Sequence, residues 1–275
     1  MPPANFDVGF IGTGSMGSML VRAFLRNQAL RPENLWLANR TPAKLEALAA
    51  EFPGVHCESS EEVAQHSEIL FIAVKPSDTQ PVLRTITQQL RSNQLCVFLT
   101  NVFTFEQLEQ RIPSSIAKLI PTVMQQINQG VALIAYGTRT ASEQAARLEQ
   151  LLAPTCKLLK VAETQMRAFG DVTSCGPALV AACIDELCRR ASATSPGLSV
   201  HDLATACIET LGATANLLRS GTTPQDLICK VAVPGGMTEA GITVLRKSLP
   251  DLLEAISSAI RQAEQTKREA LSLVD

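Results

Sequence analysis

The residues best placed to do chemistry form the run Gly12-Thr13-Gly14-Ser15-Met16-Gly17, a Gly-x-Gly-x-x-Gly pattern. It directly follows the β-branched, apolar run Val8–Ile11 and opens the amphipathic stretch Ser18–Leu25. That setting gives each glycine a task. The first permits a tight turn, the second lets the backbone approach a pyrophosphate, and the third lets the helix lie close on the strand. The unpaired N–H groups of the helix start then face the anion. A second strand ends at Ala38-Asn39-Arg40-Thr41. An NAD site carries a carboxylate there, to accept hydrogen bonds from the ribose hydroxyls. Here an amide, a guanidinium and a hydroxyl stand instead, all able to donate to a 2′-phosphate. A charge-assisted bond of that kind is worth about 1.5–3 kcal/mol. NADP is therefore favoured, with NAD as the weaker alternative.

Two further loops lead into helices. Thr173-Ser174-Cys175-Gly176-Pro177-Ala178 has a proline suited to a first helical turn, and Val233-Pro234-Gly235-Gly236-Met237-Thr238 exposes backbone N–H groups ahead of a helix. Both can cradle a carboxylate, and both can equally be ordinary helix starts. A helix N-terminus lowers a thiol's pKa, which raises a nucleophilic role for Cys175, but no histidine lies near it in sequence. The eight cysteines form no Cys-x-x-Cys pair, and His56, His66 and His201 lie far from metal-ligand spacing. No metal is expected, and the cysteines read as small apolar side chains in a reducing compartment.

The elements that must position these loops change character midway. Short apolar runs at Val8–Ile11, Leu35–Ala38, Ile69–Val74, Val97–Thr100, Ala117–Ile120, Val131–Ala135 and Cys156–Val161 alternate with helical stretches that include Met16–Asn27, Pro42–Glu51 and Ser142–Leu152. That alternation predicts βαβ units around a doubly wound, mostly parallel sheet: an α/β Rossmann domain over residues 1–161. From Glu163 the strand signal stops. Ala178–Ala193, His201–Ser220, Thr238–Lys247 and Leu252–Leu273 read as helices, broken at Ser195-Pro196-Gly197 and Gly221–Pro224. An all-α domain over residues 162–275 is the expectation. The 275 residues suit two domains, and 24 Lys plus Arg against 26 Asp plus Glu give no basic field for nucleic acid. No apolar run reaches the roughly 20 residues needed to cross a bilayer, and the start of the chain lacks a basic segment followed by an apolar core. A cytoplasmic protein is expected.

Taken together, Gly12–Gly17, Ala73-Val74-Lys75-Pro76, Ser174-Cys175-Gly176-Pro177-Ala178 and Pro234-Gly235-Gly236-Met237-Thr238 resemble the pyrroline-5-carboxylate reductases, in order and spacing from about residue 7 to 270. Asp171–Ala178 and Lys230–Thr238 are similar to the ComER-type proteins, a divergent branch associated with bacterial late-competence loci. The resemblance implies hydride transfer from NADPH to the cyclic imine of 1-pyrroline-5-carboxylate, giving proline. It implies a carboxylate held by the amides of Gly236, Met237 and Thr238, with Cys175, Gly176, Pro234 and Gly235 completing the substrate side. The Thr238 hydroxyl would stand near the imine nitrogen, as the catalytic group. Val74, Lys75 and Pro76 would border the nicotinamide ribose. The helical domain would pair two copies, as a homodimer or an assembly of dimers.

Several positions depart from the family pattern. Cys175 replaces a serine, Asn101-Val102-Phe103 replaces Ala-Ala-Gly, and Ile120-Pro121-Thr122-Val123-Met124 replaces Met-Pro-Asn-Thr-Pro. Met237 replaces a threonine, and Asp185 stands where the family has Glu. The bulkier Phe103 and Met237 are expected to narrow or re-shape the pocket. Two alternatives follow: an altered imine substrate, or a non-catalytic, competence-associated regulatory role. A 3-hydroxyacid-type dehydrogenase is disfavoured, because no lysine lies between Lys160 and Lys230.

Overall fold

A computed structural model describes residues 3–195 and 197–272. Pro196 of the second-half break and Leu273 at the end of the last expected helix lie outside the described residues. The chain divides into two compact units, one running to Cys175 and including the residues from Thr266 on, the other Gly176–Gln265.

The first unit begins with β1 (Val8–Ile11), α1 (Ser15–Arg26), β2 (Leu35–Ala38), α2 (Pro42–Glu51), β3 (His56–Cys57), α3 (Ser60–His66), β4 (Ile69–Ile72) and α4 (Pro76–Ile86). It continues through β5 (Leu95–Phe98), α5 (Phe105–Glu109), β6 (Ser115–Ile120), β7 (Val131–Tyr136), α6 (Ser142–Leu152), β8 (Lys157–Lys160) and α7 (Met166–Gly170). The strands form one eight-stranded sheet in the order β3-β2-β1-β4-β5-β6-β7-β8. Every pair is parallel except β6–β7. β1 and β4 are buried along their whole length, which is why both read as unbroken apolar runs. The doubly wound fold follows from two cores. On one face Phe10 of β1 stacks on Phe71 of β4 at 4.4 Å, with Phe24 of α1 tilted against both. Ile11, Leu70, Ile72 and Val63 fill the other.

One buried cation organises the far side of the sheet. Lys118 of β6 is 1% exposed; its ammonium donates to the Phe103 carbonyl and pairs with Glu163. Glu163 also accepts the Phe105 N–H at 2.7 Å, and the Phe105 ring lies 4.8 Å from Lys118 Nζ. The segment after β5 is thereby tied to the segment after β8. Phe103 packs in the core and lines a cavity of about 210 Å³ together with Val102 and Arg268. Although the strand signal ends at Val161, the chain stays with the sheet beyond it, because Met166 is buried against Leu133 and Ala135.

The second unit is helical: α8 (Gly176–Thr194), α9 (Val200–Arg219), α10 (Pro224–Val231) and most of α11 (Met237–Ser272). Two helices are expected where the single α11 runs on through Pro250. Ile242, Leu245, Leu249, Leu252, Ile256 and Ile260 keep helical spacing across the proline, and the helix continues without the backbone hydrogen bond that Pro250 cannot donate. In this unit Leu187, Ile208, Leu211, Val244, Leu245, Leu252 and Leu253 are exposed. Apolar stripes on every long helix thus lack a cover among the described residues, the pattern of an interaction face. The last turns of α11 belong to the first unit, where Arg268 donates to the Asn101 carbonyl at 2.7 Å and Leu271 packs on the core.

A Cβ on Gly17 would collide with the Gly12 carbonyl oxygen, because α1 lies directly on the turn that precedes it. Gly17→Ala is expected to lower stability by about 1–3 kcal/mol, seen as a lower urea midpoint. An unchanged midpoint would contradict that close approach.

Candidate functional site

The glycine loop owes its shape to contact on one side and space on the other. Gly12 has φ +101°, and a Cβ there would lie 2.6 Å from the Ala73 carbonyl oxygen. Gly14 caps α1, and a Cβ on it would meet nothing within 4 Å. The first glycine is therefore fixed by protein, while the second faces an opening. Past it, the Ser15, Met16 and Gly17 N–H groups begin α1 and have no acceptor within the helix. The Thr13 hydroxyl is buried and has no partner among the described residues. Its N–H donates to Asn39 Oδ1 at 3.2 Å.

A cavity of about 460 Å³ opens at this loop. Gly12 and Gly14 line it with Asn39, Arg40 and Thr41 after β2, and with Val74 and Lys75 after β4. Thr13, Met16, Gly17 and Pro76 do not line it, and Pro76 begins α4 after Lys75. Ser15 faces a neighbouring cavity of about 520 Å³ between α1 and residues 126–128.

Asn39 serves mainly as a strut. Its oxygen accepts from Thr13 and its Nδ2 donates to the Thr41 carbonyl at 3.0 Å, so it ties the glycine loop to the end of β2. The expectation of three donors for a 2′-phosphate shifts accordingly. Lys44, which sequence reading passes over, lines the same cavity, and neither it nor Arg40 has an ion pair among the described residues. Its signal is the spacing Arg40 to Lys44 across the first turn of α2, a helix the sequence already starts at Pro42. Glu58, Ser59 and Ser60 form another wall that sequence reading misses. An open Gly14, an orphaned Thr13 hydroxyl and two unpaired cations fit a dinucleotide carrying an additional phosphate.

The substrate-side loops are each described in their own unit. Cys175 ends a π-helical segment, Asp171–Cys175, that runs from α7 into α8. Arg167 pairs with Asp171 below it, and the Thr173 hydroxyl donates to the Phe169 carbonyl at 3.1 Å. Such wide turns recur at functional sites. Gly176 begins α8. In the second unit, Gly235 has φ +75° and its N–H donates to the Glu239 carboxylate at 2.7 Å. The Gly236 N–H donates to the Val233 carbonyl at 2.9 Å. Of the three amides expected to hold a carboxylate, that of Gly236 is thus satisfied within the loop. Those of Met237 and Thr238 open α11, where helix geometry gives them no acceptor. Pro234 and Thr238 are exposed, and the Met237 side chain is 95% exposed, free of the loop it follows.

The Thr122 loop, which lacks the family's asparagine, is held by its own cap. Thr122 Oγ1 accepts from the Met124 N–H, and buried Gln125 donates to Thr155 Oγ1 at 2.9 Å. Among the described residues no group of three or more His, Cys, Asp or Glu is placed to hold a metal, and no helix is long and apolar enough to cross a membrane.

These features define a dinucleotide-fold oxidoreductase with a helical partner-binding unit, and comparison with known proteins specifies it. Residues 7–101 match the family model described as NADP oxidoreductase coenzyme F420-dependent, and residues 163–270 match that of pyrroline-5-carboxylate reductase dimerisation. The chain is 31% identical to ComE operon protein 4 of Bacillus subtilis over 90% of its own length and 92% of that protein. It is 25% identical to pyrroline-5-carboxylate reductase of Escherichia coli, over 95% and 98% of the two chains. Its fold is that of the Plasmodium falciparum pyrroline carboxylate reductase solved with NADP bound (TM-score 0.83, 22% identity, 98% and 99% coverage). The chain belongs to the pyrroline-5-carboxylate reductase family.

Loss of Arg40 or Lys44 tests the phosphate rim. Arg40→Asp is expected to lower the preference for NADP over NAD by about tenfold or more, and Lys44→Ala to weaken NADP more than NAD. Isothermal titration with both nucleotides reads this; an unchanged ratio in both variants would make the two cations bystanders.

Proposed function

We propose that the chain is a cytoplasmic, NADPH-dependent imine reductase that converts 1-pyrroline-5-carboxylate to proline and works as a homodimer or an assembly of dimers. The observation that carries this reading is the cavity in which an open helix N-terminus at Gly14 faces the unpaired cations Arg40 and Lys44. Membership of the reductase family supports the reaction type, and the uncovered apolar stripes of α8, α9 and α11 support a second copy.

When bound, NADPH supplies a hydride from its nicotinamide ring. The chain's own residues have positional work. The first-turn amides of α1 hold the pyrophosphate, with the Thr13 hydroxyl behind them. Arg40 and Lys44 balance the charge of the 2′-phosphate. Val74 and Lys75, after β4, border the nicotinamide ribose. The Met237 and Thr238 amides, at the start of α11, hold the substrate carboxylate, and Cys175 and Gly176 are further substrate-side residues. The Thr238 hydroxyl orients the imine nitrogen or passes a proton to it. A protonated iminium is already electrophilic. Placing its carbon over the hydride donor and excluding water therefore supplies most of the acceleration.

A second reading keeps the cofactor but takes another cyclic imine, or turns nothing over. It is favoured by the substrate-side changes, foremost Met237, a bulky and fully exposed side chain where the family has threonine. Loss of NADPH absorbance with pyrroline-5-carboxylate separates the two. Turnover faster with NADPH than with NADH is expected. NADP binding without turnover on pyrroline-5-carboxylate would overturn the proline-forming reading in favour of the second. Thr238→Ala is expected to lower kcat by about a hundredfold while the Kd for NADPH stays within about twofold. Equal losses in both would remove Thr238 from the chemistry.

A further inference from the structure

Trp36, the chain's one tryptophan, stands on β2 with an imidazole against each face of its indole. His56, its register partner on β3, stacks at 4.0 Å between ring centroids and 14° between planes. His66, the last residue of α3, stacks on the opposite face at 4.2 Å and 5°. The backbone orients both imidazoles. His56 Nε2 lies 3.1 Å from the Glu33 carbonyl oxygen and His66 Nδ1 lies 2.9 Å from that of Glu62. A carbonyl oxygen only accepts, so both nitrogens donate. The indole N–H is buried and has no acceptor among the described residues. The tryptophan is held by its two faces, not by a hydrogen bond.

These three rings tie together the elements that frame Glu58, Ser59 and Ser60, the wall of the nucleotide cavity missed in the sequence. β3 leads into that segment, α3 begins in it, and the Glu58 N–H donates to the carbonyl of Leu37, next to Trp36, at 3.0 Å. No ring of the stack lines the cavity itself, so its influence passes through the wall. Sheet order gives that wall its side. β3 and β2 lie on one flank of β1, with the Arg40 rim, whereas Val74 and Lys75 follow β4 on the other. If β4's flank serves the nicotinamide ribose, the wall serves the adenosine half.

We propose that the His56–Trp36–His66 stack is a positioning device that sets the Glu58–Ser60 wall against the adenosine half of the dinucleotide. This rests on the dinucleotide reading of the cavity. The consequence is a split between the two halves of the cofactor: the stack governs affinity for adenosine bearing its phosphates and leaves the nicotinamide half and the chemical step alone.

His66 is exposed, so His66→Ala removes one face of the stack without opening the core, and His66→Phe restores a flat ring. Titration calorimetry on the full chain, with 2′,5′-ADP and nicotinamide mononucleotide as separate probes, reads the split. In His66→Ala the affinity for 2′,5′-ADP is expected to fall about fivefold, with that for the mononucleotide unchanged, and His66→Phe recovers most of the loss. In turnover, KM for NADPH rises while kcat holds. Unchanged 2′,5′-ADP affinity, or equal weakening of both probes, would overturn the positioning role while leaving the dinucleotide reading intact. Failure of the wild-type chain to bind 2′,5′-ADP at all would instead overturn both.

Discussion

The structure turns on one close approach, that of Gly17 to the Gly12 carbonyl and the Ala73 side chain. With no Cβ at residue 17, α1 can lie against the end of β1, beside the cavity that Gly12 and Gly14 line. The same placement carries Phe24 of α1 onto Phe10 and Phe71. One missing methyl group therefore links the aromatic core to the anion-binding end of the helix. Gly12, held under the Ala73 carbonyl, extends the link to β4 and to the Val74–Lys75 side of the cavity.

Electrostatics divide the molecule into buried order and exposed potential. Lys118 sits among a carbonyl, a carboxylate and an aromatic face, so its charge is fully answered inside the protein and fixes the segments after β5 and β8. Arg40 and Lys44 have no ion pair among the described residues, and they stand where β2 and α2 meet the cavity. A charge left unpaired beside an open helix N-terminus suits an anionic ligand. The helical unit has the corresponding apolar surplus: stripes on α8, α9 and α11 that a partner of like design would cover.

Much of this was legible in the sequence because it rests on local periodicity. Val8–Ile11 followed by Gly12–Gly17 specified strand, turn and helix, and the buried runs at Leu35, Ile69 and Val97 marked inner strands of a parallel sheet. What escaped depends on distance. β3 is a two-residue strand, His56–Cys57, too short to show a period. α11 crosses Pro250, and its apolar spacing continues on both sides of a residue that reads as a helix breaker. The inward turn of Phe103, the use of Asn39 as a strut and the occupation of the Gly236 amide by Val233 are tertiary facts. Lys44 and the Trp36 stack needed the relative placement of β2, α2, β3 and α3.

The central proposal is that this fold delivers a hydride to the imine carbon of pyrroline-5-carboxylate. Isotope transfer tests it most directly: NADPH carrying deuterium at both nicotinamide C4 positions, incubated with pyrroline-5-carboxylate and the intact protein, followed by mass spectrometry of the product. The account predicts proline one mass unit heavier, with the label on the ring carbon that was double-bonded to nitrogen. Unlabelled proline, or no product from a protein that still binds the nucleotide, would contradict it.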